Sequence, residues 1–112
     1  MTQEIPDPQG QLLSFQPQPH VLAARIRKIA TETGASFGMH AWERIDGREI
    51  SDLDAIRVLR FGEIKGEIEA GKNAGEWKCK MVAPRSGGRV MGVVTILVQN
   101  NRLFVKTVEW EY

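Results

Sequence analysis

The fold class is decided by Val90-Met91-Gly92-Val93-Val94-Thr95-Ile96-Leu97-Val98, followed by Gln99-Asn100-Asn101-Arg102 and then Leu103-Phe104-Val105-Lys106-Thr107-Val108-Glu109. The first run is nearly continuous apolar, the pattern of a strand covered on both faces. Asn100 and Asn101 tolerate the positive φ that a tight two-residue turn needs, so the two runs are predicted to fold back as an antiparallel hairpin. With that turn Gln99 faces Arg102, Ile96 faces Val105 and Val94 faces Thr107. Val94, Ile96, Val105 and Thr107 would then share one face, and Val93, Leu97, Phe104 and Val108 the other. Both faces are apolar. Helices should cover one, and the second calls for the N-terminal arm, the first helix or a partner.

Moving upstream, Trp77, Cys79 and Met81 alternate with Lys78 and Lys80, and Ile64 and Ile68 punctuate a charged run. Both are strand patterns, with turns at Gly71–Gly75 and Pro84–Gly88. Before Gly62 the period is helical. Ser51 and Asp54 form a capping-box pattern opening a helix on which Leu53, Ile56 and Leu59 line one face, with Gly62 closing it. Another helix is predicted over about 39–46, stopped by Gly47, after a short extended entry at Ser36-Phe37. A further one over about 20–33 starts behind Pro19, buries Leu22, Ile26, Ile29 and Thr33, and stops at Gly34. Residues 1–18 hold Pro6, Pro8 and Pro17 and read as an extended arm that Leu12, Leu13 and Phe15 could pin to the body. The expected architecture is α+β: an arm over 1–18, then one domain over 19–112 with N-terminal helices packed on a four-stranded antiparallel sheet.

A chain of 112 residues fits one domain, and 42% apolar with 26% charged residues is an ordinary globular balance. Fifteen basic against fourteen acidic residues leave a net charge of +1, which argues against tight, nonspecific nucleic-acid binding. No apolar run approaches the roughly 20 residues of a membrane span. Glu4 and Asp7 stand where a signal peptide would be basic and apolar, and Cys79 has no second cysteine to pair with. A cytoplasmic protein is expected. His20, His40 and Cys79 lack paired-ligand spacing, and Arg85-Ser86-Gly87-Gly88 lacks the Lys-Ser/Thr of a phosphate loop. Neither a metal nor another cofactor is expected.

His40 and Arg44 are four apart and project from one helix face, with Arg48 just beyond Gly47. Histidine exchanges a proton near neutrality, and guanidinium groups hold phosphate oxygens, so this set could run acid–base chemistry on a phosphodiester. The same pattern also fits side chains that pair with Glu43 or Glu49, or that bridge helix to sheet. Thr107 could orient His40 or touch a phosphate, or simply reflect threonine's preference for strands. Cys79 points away from its lysine neighbours and reads as buried filler. Arg85 and Arg89 make the loop between them anion-friendly. Trp42, Trp77, Trp110 and Tyr112 could stack on bases, or belong to core and interface.

The run from His40-Ala41 through Arg44 and Arg48 to Ile50-Ser51, with Val105-Lys106-Thr107-Val108 at the end, resembles domain of unknown function family 4258. The likeness spans about residues 36–112. It departs where Glu49 stands in place of the family's common glycine, and in the additional first helix and arm. The family is similar to RelE- and BrnT-type toxins, which are small proteins of N-terminal helices on an antiparallel sheet that cut RNA without a metal. The resemblance implies a general acid or base at His40, phosphate neutralisation by Arg44 and Arg48, and an orienting hydroxyl at Thr107. It also implies an RNA substrate and an antitoxin partner. A second expectation comes from the apolar second sheet face: a non-enzymatic interaction domain, forming a homodimer or binding another protein as an immunity or adaptor protein would.

Overall fold

The computed structural model describes residues 16–47 and 50–111. Most of the expected arm, with Leu12, Leu13 and Phe15, lies outside the described residues, as do Arg48, Glu49 and Tyr112.

Helix α1 (Pro19–Glu32) begins on Pro19 and buries Leu22, Ala23, Ile26, Ile29 and Ala30 along one stripe. Thr33 was expected in that stripe but is the exposed C-cap, its hydroxyl donating to Ile29 O at 3.0 Å. Gly34, at φ +80°, then turns the chain into the two-residue strand β1 (Ser36–Phe37). Helix α2 (Met39–Asp46) ends at Gly47. Helix α3 (Asp52–Phe61) opens on a complete capping box: Asp54 N donates to Ser51 Oγ at 3.1 Å and Ser51 N to Asp54 Oδ2 at 3.2 Å.

Ala55, Val58 and Leu59 form the buried face of α3, with Ile56 at its margin. Leu53, predicted on that face, is instead 76% exposed. Two residues before Ala55 it stands about 200° round the helix, on the solvent side. Arg27 of α1 locks the end of α3 by donating to Gly62 O and to Glu63 Oε1, each at 2.9 Å.

Strands β2 (Glu63–Ala70), β3 (Trp77–Pro84), β4 (Val90–Val98) and β5 (Arg102–Trp110) complete a five-stranded sheet of order β1-β5-β4-β3-β2. Pairing among β2 to β5 is antiparallel as expected. The predicted four-stranded antiparallel sheet is nevertheless incomplete. The extended entry at Ser36-Phe37 adds a fifth strand, parallel to β5, with Ser36 opposite Phe104 and Phe37 opposite Val105. Two residues give no periodicity to read, so only the long-range pairing reveals this strand.

The hairpin register differs from expectation near its turn. Val98 pairs with Arg102, so the loop is Gln99-Asn100-Asn101, with φ of 66° at Asn100 and 53° at Asn101. Ile96 therefore faces Phe104, and Thr95 faces Val105. A bulge at Lys106 then shifts the ladder by one residue and restores the expected pairing of Val94 with Thr107 and of Val93 with Val108. Val105 consequently joins Met91, Val93, Leu97, Leu103 and Val108 in the core, while Phe104 moves to the other face. Fully buried Thr95 closes the pattern by donating its hydroxyl to Phe104 O at 3.0 Å.

The core lies between this sheet face and helices α1 and α3. The opposite face carries Lys78, Lys80, Val82, Val94, Ile96, Phe104, Thr107 and Glu109, all only partly buried. Helix α2 packs along β5.

Candidate functional site

Where α2 meets β5, His40, Glu43 and Arg44 face Val94, Lys106, Thr107 and Glu109 across an open cleft of about 420 Å³. Two local features place α2 here. Gly38 leaves room for the Phe104 ring, since a Cβ at that position would stand 2.5 Å from ring carbon Cζ. Phe37 and Trp42 stack across the turn with ring centroids 5.3 Å apart. Buried Ala41 seats the inner side of the helix, leaving the side chains of His40, Glu43 and Arg44 accessible.

Three of the four sequence-predicted site residues, His40, Arg44 and Thr107, thus line one cleft; the fourth, Arg48, lies outside the described residues. The imidazole does not use Thr107 as its partner. Its Nδ1 lies 3.3 Å from Glu43 Oε1, one turn along the helix. If Nδ1 carries the proton in that contact, Nε2 is left as the acceptor. Arg44 donates Nε–H to Val108 O at 3.1 Å, so it both bridges helix to sheet and borders the cleft. That bond uses one of the five guanidinium N–H donors and fixes the plane of the group.

Lys106 and Glu109 were not singled out from the sequence, and Val94 was expected only as the strand partner of Thr107. Nothing in the run around Lys106 signals a bulge, and Glu109 reads as an ordinary strand-end charge. Glu109 belongs also to a neighbouring cleft on the same sheet face, lined by Lys65, Glu67, Glu69, Lys78 and Lys80. Charges there are paired: Lys78 with Glu69 at 3.3 Å and Lys80 with Glu109 at 3.6 Å. Glu111, only 4% exposed, lies 3.0 Å from both Lys65 and Lys80. Burial works to raise its pKa, but hydrogen bonds and charge attraction from the two lysines together outweigh that and hold the carboxyl below its ordinary value. In the reciprocal direction, the hydrogen bond to Glu111 raises the Lys80 pKa. Gly92 permits this contact, because a Cβ on it would stand 2.7 Å from Glu111 Oε2.

Other candidates are committed elsewhere. Arg85, expected to leave its loop anion-friendly, is paired with Asp54 of the α3 cap, and Arg89 lies over the Trp110 ring at 3.7 Å. Both guanidiniums are therefore engaged within the protein. Cys79 is buried, and burial pushes its thiol up to about 12, which leaves essentially no thiolate near neutrality. Trp77 is in the core, whereas Trp42 is 46% exposed and packs against Phe37. Among the described residues no group of three or more His, Cys, Asp or Glu side chains is arranged to hold a metal ion. No described helix is long and apolar enough to cross a membrane.

Comparison with family models, with curated proteins and with solved structures finds no match to this chain.

Proposed function

We propose that the protein is a metal-independent endoribonuclease of the toxin type, related to domain of unknown function family 4258 and built on a RelE/BrnT-like plan. The observation supporting this is the convergence of His40, Arg44 and Thr107, from a helix and a distant strand, on one open cleft. RNA supplies its own 2′-OH nucleophile, so the site needs a base and a phosphate clamp rather than a protein nucleophile. His40 Nε2 accepts the 2′-OH proton while Glu43 holds Nδ1. The 2′-oxygen bonds to the adjacent phosphorus and the 5′-oxygen departs, taking a proton from water. The products are a 2′,3′-cyclic phosphate and a 5′-hydroxyl. Arg44 neutralises the non-bridging oxygens as charge develops, with Arg48 assigned to the same task from the sequence motif. Thr107 donates a hydrogen bond at the cleft floor. In a cytoplasmic toxin of this kind an antitoxin protein would bind over the cleft.

The test is RNA cleavage in EDTA by the full chain and by His40→Ala and Arg44→Ala. Loss of at least about 100-fold is expected for His40→Ala, the usual scale of a positioned general base. Circular dichroism should accompany Arg44→Ala, because that side chain also ties α2 to Val108. Cleavage that survives both substitutions would end the proposal.

One observation favours a second reading, that of a non-enzymatic interaction domain. Met39 is 75% and Trp42 46% exposed on the helix that packs along β5, and Phe104 and Ile96 are only half-buried on the open sheet face. Apolar groups presented together mark a protein-binding surface. Light scattering separates the two: a strict monomer that cleaves RNA excludes a homodimer as the protein's purpose.

A further inference from the structure

Lys106 and Thr107 are neighbours in β5, and on a regular strand their side chains would point to opposite faces. Both line the same cleft. The cause is the bulge: Thr95 pairs with Val105 and Val94 with Thr107, so Lys106 is the extra residue of β5 and has no partner in the ladder. Val105 and Val108 on either side remain fully buried, while Lys106 is exposed and Thr107 half-buried. Leu103 and Val105 face the core, so Lys106 faces the cleft, and the extra residue keeps Thr107, which unbroken alternation from Val105 would turn to the core, on the cleft side as well. Bulges are a recurrent means of re-aiming a side chain next to a functional site.

The charges around the cleft single out two groups. Glu43 is paired with His40, and Glu109 with Lys80. Lys80 is drawn further towards Glu111. Among the described residues, Arg44 and Lys106 are the cleft cations that make no salt bridge. Arg44 is fixed in orientation by its bond to Val108 O, whereas Lys106 has a mobile four-carbon stem. A fixed planar donor beside an adjustable point charge suits a phosphodiester, which offers two non-bridging oxygens. We infer that Arg44 and Lys106 together form the phosphodiester seat of this cleft for single-stranded RNA, and that the β5 bulge sets Lys106 and Thr107 side by side in it. The choice of RNA as ligand rests on the function proposed above, while the seat itself rests on the bulge and the unpaired charges.

The experiment uses a short single-stranded RNA with every 2′-OH methylated, which cannot be cleaved by the proposed route. Binding to the isotope-labelled full chain is followed by amide shifts, alongside cleavage of the unmethylated RNA. Shifts at Thr107 and His40 are expected, with about 5- to 10-fold weaker binding for Lys106→Gln and near-parental binding for Lys106→Arg. The slope of log affinity against log salt should fall by roughly 0.7 in Lys106→Gln, the counterion share of one phosphate contact on a single strand. Parental binding and salt slope in Lys106→Gln, with cleavage intact, would overturn the seat and leave the nuclease proposal standing. Binding that depends on Lys106 without cleavage would do the reverse. An absence of shifts in the cleft would overturn the seat outright.

Discussion

Gly62 and Gly66 lie four residues apart at the start of the sheet, yet they resist substitution for different reasons. Gly62 is pressed between backbone atoms, so that a Cβ would stand 2.5 Å from Val82 O and 2.6 Å from Val58 O. Neither oxygen can rotate away. Gly66 has open space around it but φ of +85°, where an L side chain meets its own carbonyl. Gly62→Ala should cost about 2–3 kcal/mol, the scale of overpacking against immovable neighbours, and Gly66→Ala about 1 kcal/mol of backbone strain. Denaturant titration of both variants checks the order, and equal costs would contradict the crowding at Gly62. Sequence alone marks both residues as glycine and ranks neither, because crowding at Gly62 arises from β3, which is remote in the chain.

Strands β2 and β3 are tied across the open face to the residue just after β5 by Lys65, Lys80 and Glu111, with Gly92 of β4 making room beneath them. The Glu111 carboxyl is held below its ordinary value of 4.5 in the folded chain. A depressed carboxyl stabilises the fold above its unfolded pKa, and that contribution is lost as pH falls through the folded pKa. Glu111→Gln should therefore lower stability by about 1 kcal/mol at neutral pH, the scale of an ion pair whose lysine partners remain open to solvent. The gap should narrow below about pH 4.5, as the parental carboxyl gains its proton. Thermal melts of both proteins between pH 7 and pH 3 provide the measurement; a gap that stays constant with pH would show that the carboxylate's charge is irrelevant. The alternation of Lys78, Cys79 and Lys80 was readable as a two-faced strand, and the capping box at Ser51 as a helix start, because each depends on neighbours in sequence. The ion network was not readable, since its members come from two strands and the end of a third, brought together by pairing.

In the whole molecule, one sheet face is sealed by α1 and α3 and the other is left open, with α2 along β5. Central strand β4 is paired on both sides and packed beneath α3, whereas β2 is an edge interrupted by an irregularity between Lys65 and Glu69. Amide exchange should accordingly be slowest in β4 and fastest, among the long strands, in β2. Hydrogen-exchange mass spectrometry that finds β2 as protected as β4 would contradict this ranking of local stability. Composition, the change of period after Gly62 and the turn residues were sufficient for the α+β class, the three helices and the four long strands, because these signals are local and repeat over many residues. The spacing of His40 and Arg44 likewise follows from helix geometry alone. Tertiary structure alone decided the fifth strand, the three-residue loop, the bulge at Lys106 and the meeting of Thr107 with α2. Each of these depends on which backbone groups pair across long stretches of chain, and a shift of one residue in that pairing exchanges a core side chain for one facing the cleft.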